Sequence, residues 1–179
     1  ILAGHPEARL VSAHAETHAG ERWESLFPAR RHLWRGTIAA FDPGALAGLD
    51  AVFLALPHGA SARAAAALDG RVGRVIDLSG DLRLGNAAEY ERWYGAKHPA
   101  PQLLGRAVYG LPELFRDDLR GAHLIACAGC YATVAQLAAA PALALGAGSA
   151  GDGEPSEVVV AAMSGTSGAG RKADVALSF

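Results

Sequence analysis

Five short apolar runs, at residues 10–15, 51–56, 72–78, 124–128 and 157–163, recur along the chain with longer helix-like stretches between them. Strands alternating with helices fold as a sheet with crossover connections, so the pattern predicts an α/β architecture and argues against all-α and all-β folds. Two of the intervening stretches read as helices. One, 61–68, is rich in Ala, opened by Ser61 as a cap and closed near Gly70; the other, 87–94, carries Glu89, Glu91 and Arg92 on a solvated face. Four runs end directly in turn residues: Leu56-Pro57-His58-Gly59, Leu78-Ser79-Gly80-Asp81, Ala128-Gly129-Cys130 and Met163-Ser164-Gly165. Ligands of open parallel sheets bind beyond the carboxyl ends of the strands, so the chemistry is expected in these four loops.

At 179 residues and 51% hydrophobic content the chain can bury a core of ordinary density, in one domain or one and a part. Sixteen basic against eighteen acidic residues give a net charge of -2 with no basic block, so nucleic acid is not an expected partner. The two cysteines, Cys127 and Cys130, are too close to staple a fold, which suits a reducing compartment and points to the cytoplasm. The first residues, from Ile1 to Pro6, lack the basic, apolar and cleavage regions of a signal peptide. No formally charged residue occurs at 124–151, which raises the question of a membrane span. Ala and Gly dominate this stretch, Gln136 and Pro141 interrupt it and no Lys or Arg closely follows, so a buried helix of an α/β core is expected and no membrane contact. Residues 146–155 read as an exposed linker between a nucleotide-binding part and a second part. They include Gly146-Ala147-Gly148-Ser149-Ala150-Gly151, which spells a dinucleotide-binding turn. It follows a helix and precedes a strand, the reverse of the order in which such a turn works, and reads as a loop.

The stretch Leu124-Ile125-Ala126-Cys127-Ala128-Gly129-Cys130-Tyr131-Ala132-Thr133 reads as a strand, a small-residue turn and a helix beginning near Tyr131. A cysteine at a helix N-terminus sits where unpaired amides and the helix dipole favour a thiolate, drawing its pKa from about 8.5 towards neutrality. Gly129 allows the turn and lets a carbonyl substrate approach the backbone, whose amides suit a developing oxyanion. Three other readings compete. Cys127 and Cys130 spell a CxxC redox pair, but Cys127 falls inside the strand, where a thiol is packed and inert. A zinc site needs about two more ligands at suitable spacing, which His123 alone does not supply, so no metal is expected. Both cysteines also suit small packed residues. That reading is preferred for Cys127; for Cys130 composition leaves the choice even, and the strand-turn-helix setting favours a nucleophile.

These residues, taken in order, resemble the N-acetyl-gamma-glutamyl-phosphate reductase family. His5-Pro6 with Leu10-Val11 is similar to the end of that family's first helix and its second strand, and the run from Val52 to Gly59 to its cofactor-side strand and loop. The run from Val75 to Leu84 is similar to its next strand and turn, and Tyr109-Gly110-Leu111-Pro112-Glu113 to a following segment. Gly129-Cys130-Tyr131-Ala132-Thr133 resembles the nucleophile motif, and the run from Ser164 to Arg171 a loop of the catalytic domain.

The resemblance implies a Rossmann-like parallel sheet with helices on both faces (1–128, binding NADP), then the start of an α+β catalytic and dimerisation domain (129–179), truncated at both ends. It implies an oxidoreductase of arginine biosynthesis: Cys130 displaces phosphate from an acyl phosphate, and NADPH reduces the thioester to a semialdehyde. Pro57, His58, Ser79, Ser164, Gly165, Ser167, Gly168 and Ala169 are the implied cofactor-side residues. Arg83 and Arg171 are candidates for the substrate's carboxylate or phosphate, against the alternative of solvated surface charges. His58 is assigned by its position and not to proton transfer; Ser79 is either a cofactor contact or a turn residue; Tyr109, Tyr131 and Trp93 are expected to pack. The chain departs from the family in having Ala128 where a proline is usual, which leaves the turn before Cys130 less rigid. The family's Gly-rich first turn would precede Ile1 and its general-base histidine would follow Phe179, so this piece alone is expected to have negligible activity, and the longer protein to be a homo-oligomer. Thr17 and Arg22 suit a 2′-phosphate while Glu16 suits a free ribose hydroxyl, so NADP rests on the resemblance. The alternatives are a reductase of another acyl phosphate (carrier-bound aminoadipyl or aspartyl phosphate), a non-catalytic NADP-binding remnant, or a dithiol redox protein.

Overall fold

Four short strands form one sheet in the computed structural model, which describes residues 2–145, 159–163 and 165. They are β1 (Val52–Leu54), β2 (Val75–Asp77), β3 (Val108–Gly110) and β4 (Leu124–Cys127), in the order β1-β2-β4-β3. β2 and β3 both pair with β4 in parallel, Val75 opposite Leu124 and Val108 opposite Ile125. β4 lies between two neighbours and is apolar throughout, as a parallel strand covered on its faces requires. Gly110 ends β3 where a Cβ would stand 3.0 Å from the Cα of Cys127, so the two strand ends approach too closely for a side chain.

The helices are α1 (Trp23–Leu26), α2 (Ala60–Leu68), α3 (Ala87–Tyr94), α4 (Pro112–Arg120) and α5 (Cys130–Ala144). α3 has the expected bounds: the Asn86 side chain accepts the amide of Glu89, and Gly95 closes the helix in the left-handed region at φ 68. α4 opens on Pro112, whose missing amide proton is no loss at a first helical position.

The chain divides into two units, residues 1–52 with 67–73, and residues 53–66 with 74–179. In the first, the run at 10–15 does not become a strand. Only a bridge between His14 and Ala39 forms there, and the His14 ring is held by Ala40 O and Ser12 Oγ. An apolar run needs a ladder of partners to be a strand, and these residues have a single rung. In the second unit, the described part of the run at 157–163, residues 159–163, is not a strand either. The proposed linker at 146–155, with its glycine pattern, lies outside the described residues.

Three further expectations are corrected. Ser61 does not cap α2; its hydroxyl turns inward to Asp77. The uncharged stretch is helical in α5, yet no α5 residue is buried, since nothing among the described residues packs closely enough over its apolar surface. Trp93 and Tyr131 are exposed rather than packed, while Tyr109 is half-buried, edge-on to Phe115 and bonded to the Gln136 amide. Among the described residues no helix is long and apolar enough to cross a membrane.

Candidate active site

The site is built from the turns that follow β1, β2 and β4, all in the second unit. β4 ends at Cys127, Ala128 and Gly129 form the turn, and α5 begins at Cys130, one residue earlier than the sequence pattern suggested. Gly129 is the N-cap in extended conformation, and no side chain caps the helix. Its carbonyl accepts the amide of Thr133 at 2.8 Å, while Cys130 stands exposed on the first turn. Cys127 is half-buried, and its thiol is pushed up first by burial and then by the charge of Asp77, against a smaller opposing effect of Arg83. The two cysteines are therefore unlike: one is accessible at a helix start, the other is held protonated at a strand end.

Arg83 connects the turn after β2 to the turn before Cys130. Its Nε donates to the carbonyl of Cys127 at 2.7 Å and its Nη2 to that of Leu78 at 3.2 Å. Its Nη1 lies so near Gly129 that a Cβ there would stand 3.0 Å away. Arg83 is half-buried and bonded to the ends of β2 and β4, and so is not merely a solvated charge.

Two carboxylates with no exposure lie behind these turns, Asp77 and Asp81. Asp77 follows from the alternation of β2: Val75 points inward, and so must Asp77. A carboxylate in the core requires donors. Asp77 receives the Ser61 hydroxyl at 2.5 Å, the Ser79 amide at 2.9 Å and the Ser79 hydroxyl at 2.9 Å. The Ser79 oxygen in turn accepts the amide of Asp81 at 3.1 Å, so this hydroxyl is a turn element that links the two acids. Asp81 accepts the amides of Gly59 and Ala62 at the start of α2 and lies 2.8 Å from His58 Nδ1 and 3.2 Å from the Tyr90 hydroxyl. Tyr90 Oη is also 2.9 Å from His58 Nε2, and its single proton serves one of these partners at a time. His98, buried, donates from Nε2 to the Asp81 carbonyl.

The Tyr90 hydroxyl is pushed up to about 12 from 10.0, by burial first, then by the Asp81 charge and the hydrogen bond to it. The folded value exceeds the unfolded one, so this stabilisation is fully present below pH 10.0 and is lost as the pH rises towards about 12. Alkaline unfolding followed by circular dichroism should show that loss, and Tyr90→Phe should remove it. The same slope in the variant would acquit the phenol.

Of the residues singled out in the sequence, Cys130 and Arg83 meet at one turn. Pro57 and His58 are exposed on the turn after β1, where His58 keeps both ring nitrogens engaged, and Ser79 lies on the turn after β2. Gly165 is exposed; Ser164, Ser167, Gly168, Ala169 and Arg171 lie outside the described residues. A pocket of about 530 Å³ opens beside Cys130, lined by Tyr131, Val134 and Ala138 of α5 and by Val159 and Met163. Sequence reasoning missed Asp77, Asp81, Tyr90 and His98. The signal for Asp77 was present, an acid at an inward strand position; Asp81 lies in one of the turns singled out but carried no assigned role, and Tyr90 and His98 carry no periodicity that marks them.

Comparison with known proteins gives two family matches: the semialdehyde dehydrogenase NAD binding domain over residues 1–122 and the semialdehyde dehydrogenase dimerisation domain over residues 130–179. Among similar proteins, N-acetyl-gamma-glutamyl-phosphate reductase of Symbiobacterium thermophilum is 43% identical over 179 residues, all of this chain and 50% of that protein. The protein of the same name from Nitrosococcus oceani is 44% identical over 174 residues, 97% of this chain and 49% of its own length. That of Pseudomonas aeruginosa is 42% identical over 180 residues, covering 100% of this chain and 51% of that protein. The chain thus spans about half the length of the curated relatives it matches.

Proposed function

Because the chain belongs to the semialdehyde dehydrogenase family, we propose that it supplies the cofactor-side domain and the nucleophile of an NADP-dependent reductase of N-acetyl-gamma-glutamyl phosphate, a cytoplasmic homo-oligomer of arginine biosynthesis. Residues 1–128 are the cofactor-binding part and residues 129–179 begin the catalytic and dimerisation part; the separate family matches on either side of residues 123–129 support this division. The observation that carries the reading is Cys130, exposed as the first residue of an uncapped helix at the carboxyl end of a parallel strand.

The Cys130 thiolate attacks the acyl carbon; the C–S bond forms as the bond to the phosphate oxygen breaks, and inorganic phosphate leaves with the electron pair. The uncapped amides of the first turn of α5 suit the oxyanion of this step. When bound, NADPH would supply hydride chemistry for the thioester carbon, and Cys130 would leave with the electron pair of the C–S bond as the semialdehyde is released. The residues present fit the nicotinamide end of that cofactor, because the turn beyond β1 exposes Pro57 and His58 at the carboxyl ends of the strands, where dinucleotides bind. Pro57 and His58 on the turn after β1 and Ser79 on the turn after β2 are its contacts, joined, by the resemblance alone, by Ser164, Gly165, Ser167, Gly168 and Ala169. The amides at the start of α2 are already taken, those of Gly59 and Ala62 by Asp81 and those of Ala60 and Ser61 by the Pro57 carbonyl, and hold no cofactor phosphate. Arg83, through Nη1, and Arg171 supply charge for the substrate's carboxylate or phosphate.

The test withholds the cofactor. The complete protein, mixed with the acyl phosphate, should release inorganic phosphate and gain an N-acetylglutamyl mass on the peptide that contains Cys130. Phosphate release with no adduct on that peptide would refute the thioester.

A further inference from the structure

We propose that Asp81 is a positioning residue for the cofactor: its buried carboxylate fastens the Pro57-His58-Gly59 turn to the turn after β2, so that both present one fixed rim. This deepens the cofactor assignment above and rests on it. Two short turns at the ends of neighbouring strands have no ladder to hold them, and loops are the mobile parts of such folds. Here one side chain bridges them. Asp81 has no exposure, and its two oxygens receive the Gly59 amide at 2.8 and 2.9 Å and the Ala62 amide at 2.8 Å. His58 Nδ1 lies 2.8 Å from Oδ1, which fixes the ring that borders the proposed cofactor. Tyr90 closes the other edge of the same ring, stacked at an interplanar angle of 10°. The backbone of Asp81 is itself held, its amide by Ser79 Oγ and its carbonyl by His98 Nε2.

The arrangement also separates two tasks on one turn. Asp81 reaches towards the turn after β1, whereas Arg83, two residues on, reaches towards the turn after β4 and Cys130. Loss of Asp81 should therefore loosen the cofactor and leave the acylation of Cys130 alone. A residue that only stabilised the fold would weaken both.

The experiment measures two quantities on the complete protein and its Asp81→Asn variant: the Kd for NADPH by its fluorescence, and the rate of phosphate release from the acyl phosphate without cofactor. The Asn amide keeps one accepting oxygen and puts a donor NH2 where the other stood, so at least one of the donors on Gly59, Ala62, His58 or Tyr90 loses its partner. NADPH binding is expected to weaken about tenfold, with phosphate release changed by less than about twofold. A Kd within about twofold of the parent, or a parallel fall in both quantities, overturns the proposal. Should Asp81→Asn not fold, Tyr90→Phe decides: it removes one donor only, and a Kd raised about threefold supports the role, while an unchanged Kd overturns it. A parent protein that binds no NADPH refutes the cofactor assignment itself, and this inference with it.

Discussion

Cys130→Ser in the complete protein is expected to lower kcat for phosphate-dependent semialdehyde oxidation by at least about 10⁴-fold, while Cys127→Ser stays within about threefold of the parent. The asymmetry follows from where each sulfur sits. Cys130 is exposed at the start of α5, beside amides that no side chain caps, and a serine hydroxyl in its place is a far weaker nucleophile. Cys127 is half-buried at the end of β4, its thiol held up by burial and by Asp77, and serine there keeps nearly the same volume. Only one of the pair is both accessible and set at a helix start. Equal loss in both variants would favour a dithiol redox role, and an inactive parent would favour a remnant that keeps the fold without the reaction.

The second large effect is expected at Arg83. Its alanine variant should reduce kcat by about 10²-fold, because the guanidinium holds the carbonyls of Cys127 and Leu78 and so sets where the turn presents Cys130; a nucleophile misplaced by about 1 Å costs a factor of that order. Lysine keeps the charge but not the fork that reaches two carbonyls at once, so Arg83→Lys should recover only part of the rate. The split between kcat and KM for the acyl phosphate then separates the roles of this side chain. A fall in kcat with KM unchanged marks the brace, and a rise in KM that lysine repairs marks a substrate contact through Nη1. If Arg83→Ala left both constants unchanged, the bonds it makes would be incidental.

Much of this site is legible in the sequence. The run around β4 gave the strand, the turn and the helix with an error of one residue, because a continuous apolar segment broken by Ala-Gly and followed by a helix-forming stretch has few other conformations open to it. α3 was legible to the residue, since Asn86 and Gly95 are local signals acting on local backbone. The run at 10–15 misled because strand character was read from composition alone, while a strand exists only with a partner along its length. Ser61 misled for a related reason. Its place one residue inside α2 suggests a cap, but a buried carboxylate nearby outbids the helix end for its proton. The burial expected for α5 failed because covering an apolar helix is a property of what surrounds it.

By itself, the sequence determined the element types around the ends of β1, β2 and β4, though not those of β3 and α4, and which loops carry reactive residues, since propensity, capping and turn chemistry act over a few neighbours. It also marked Cys130 as the residue at a helix start, which is a matter of spacing. Only the tertiary structure decided that Arg83, 44 residues from Cys127, would reach that strand end, and that Asp81 would receive the amides of Gly59 and Ala62. Such bonds join positions that are distant along the chain and adjacent only after the parallel strands have paired. No local preference encodes them; they are fixed when a buried carboxylate or guanidinium, denied water, takes the partners that the packed sheet brings within reach.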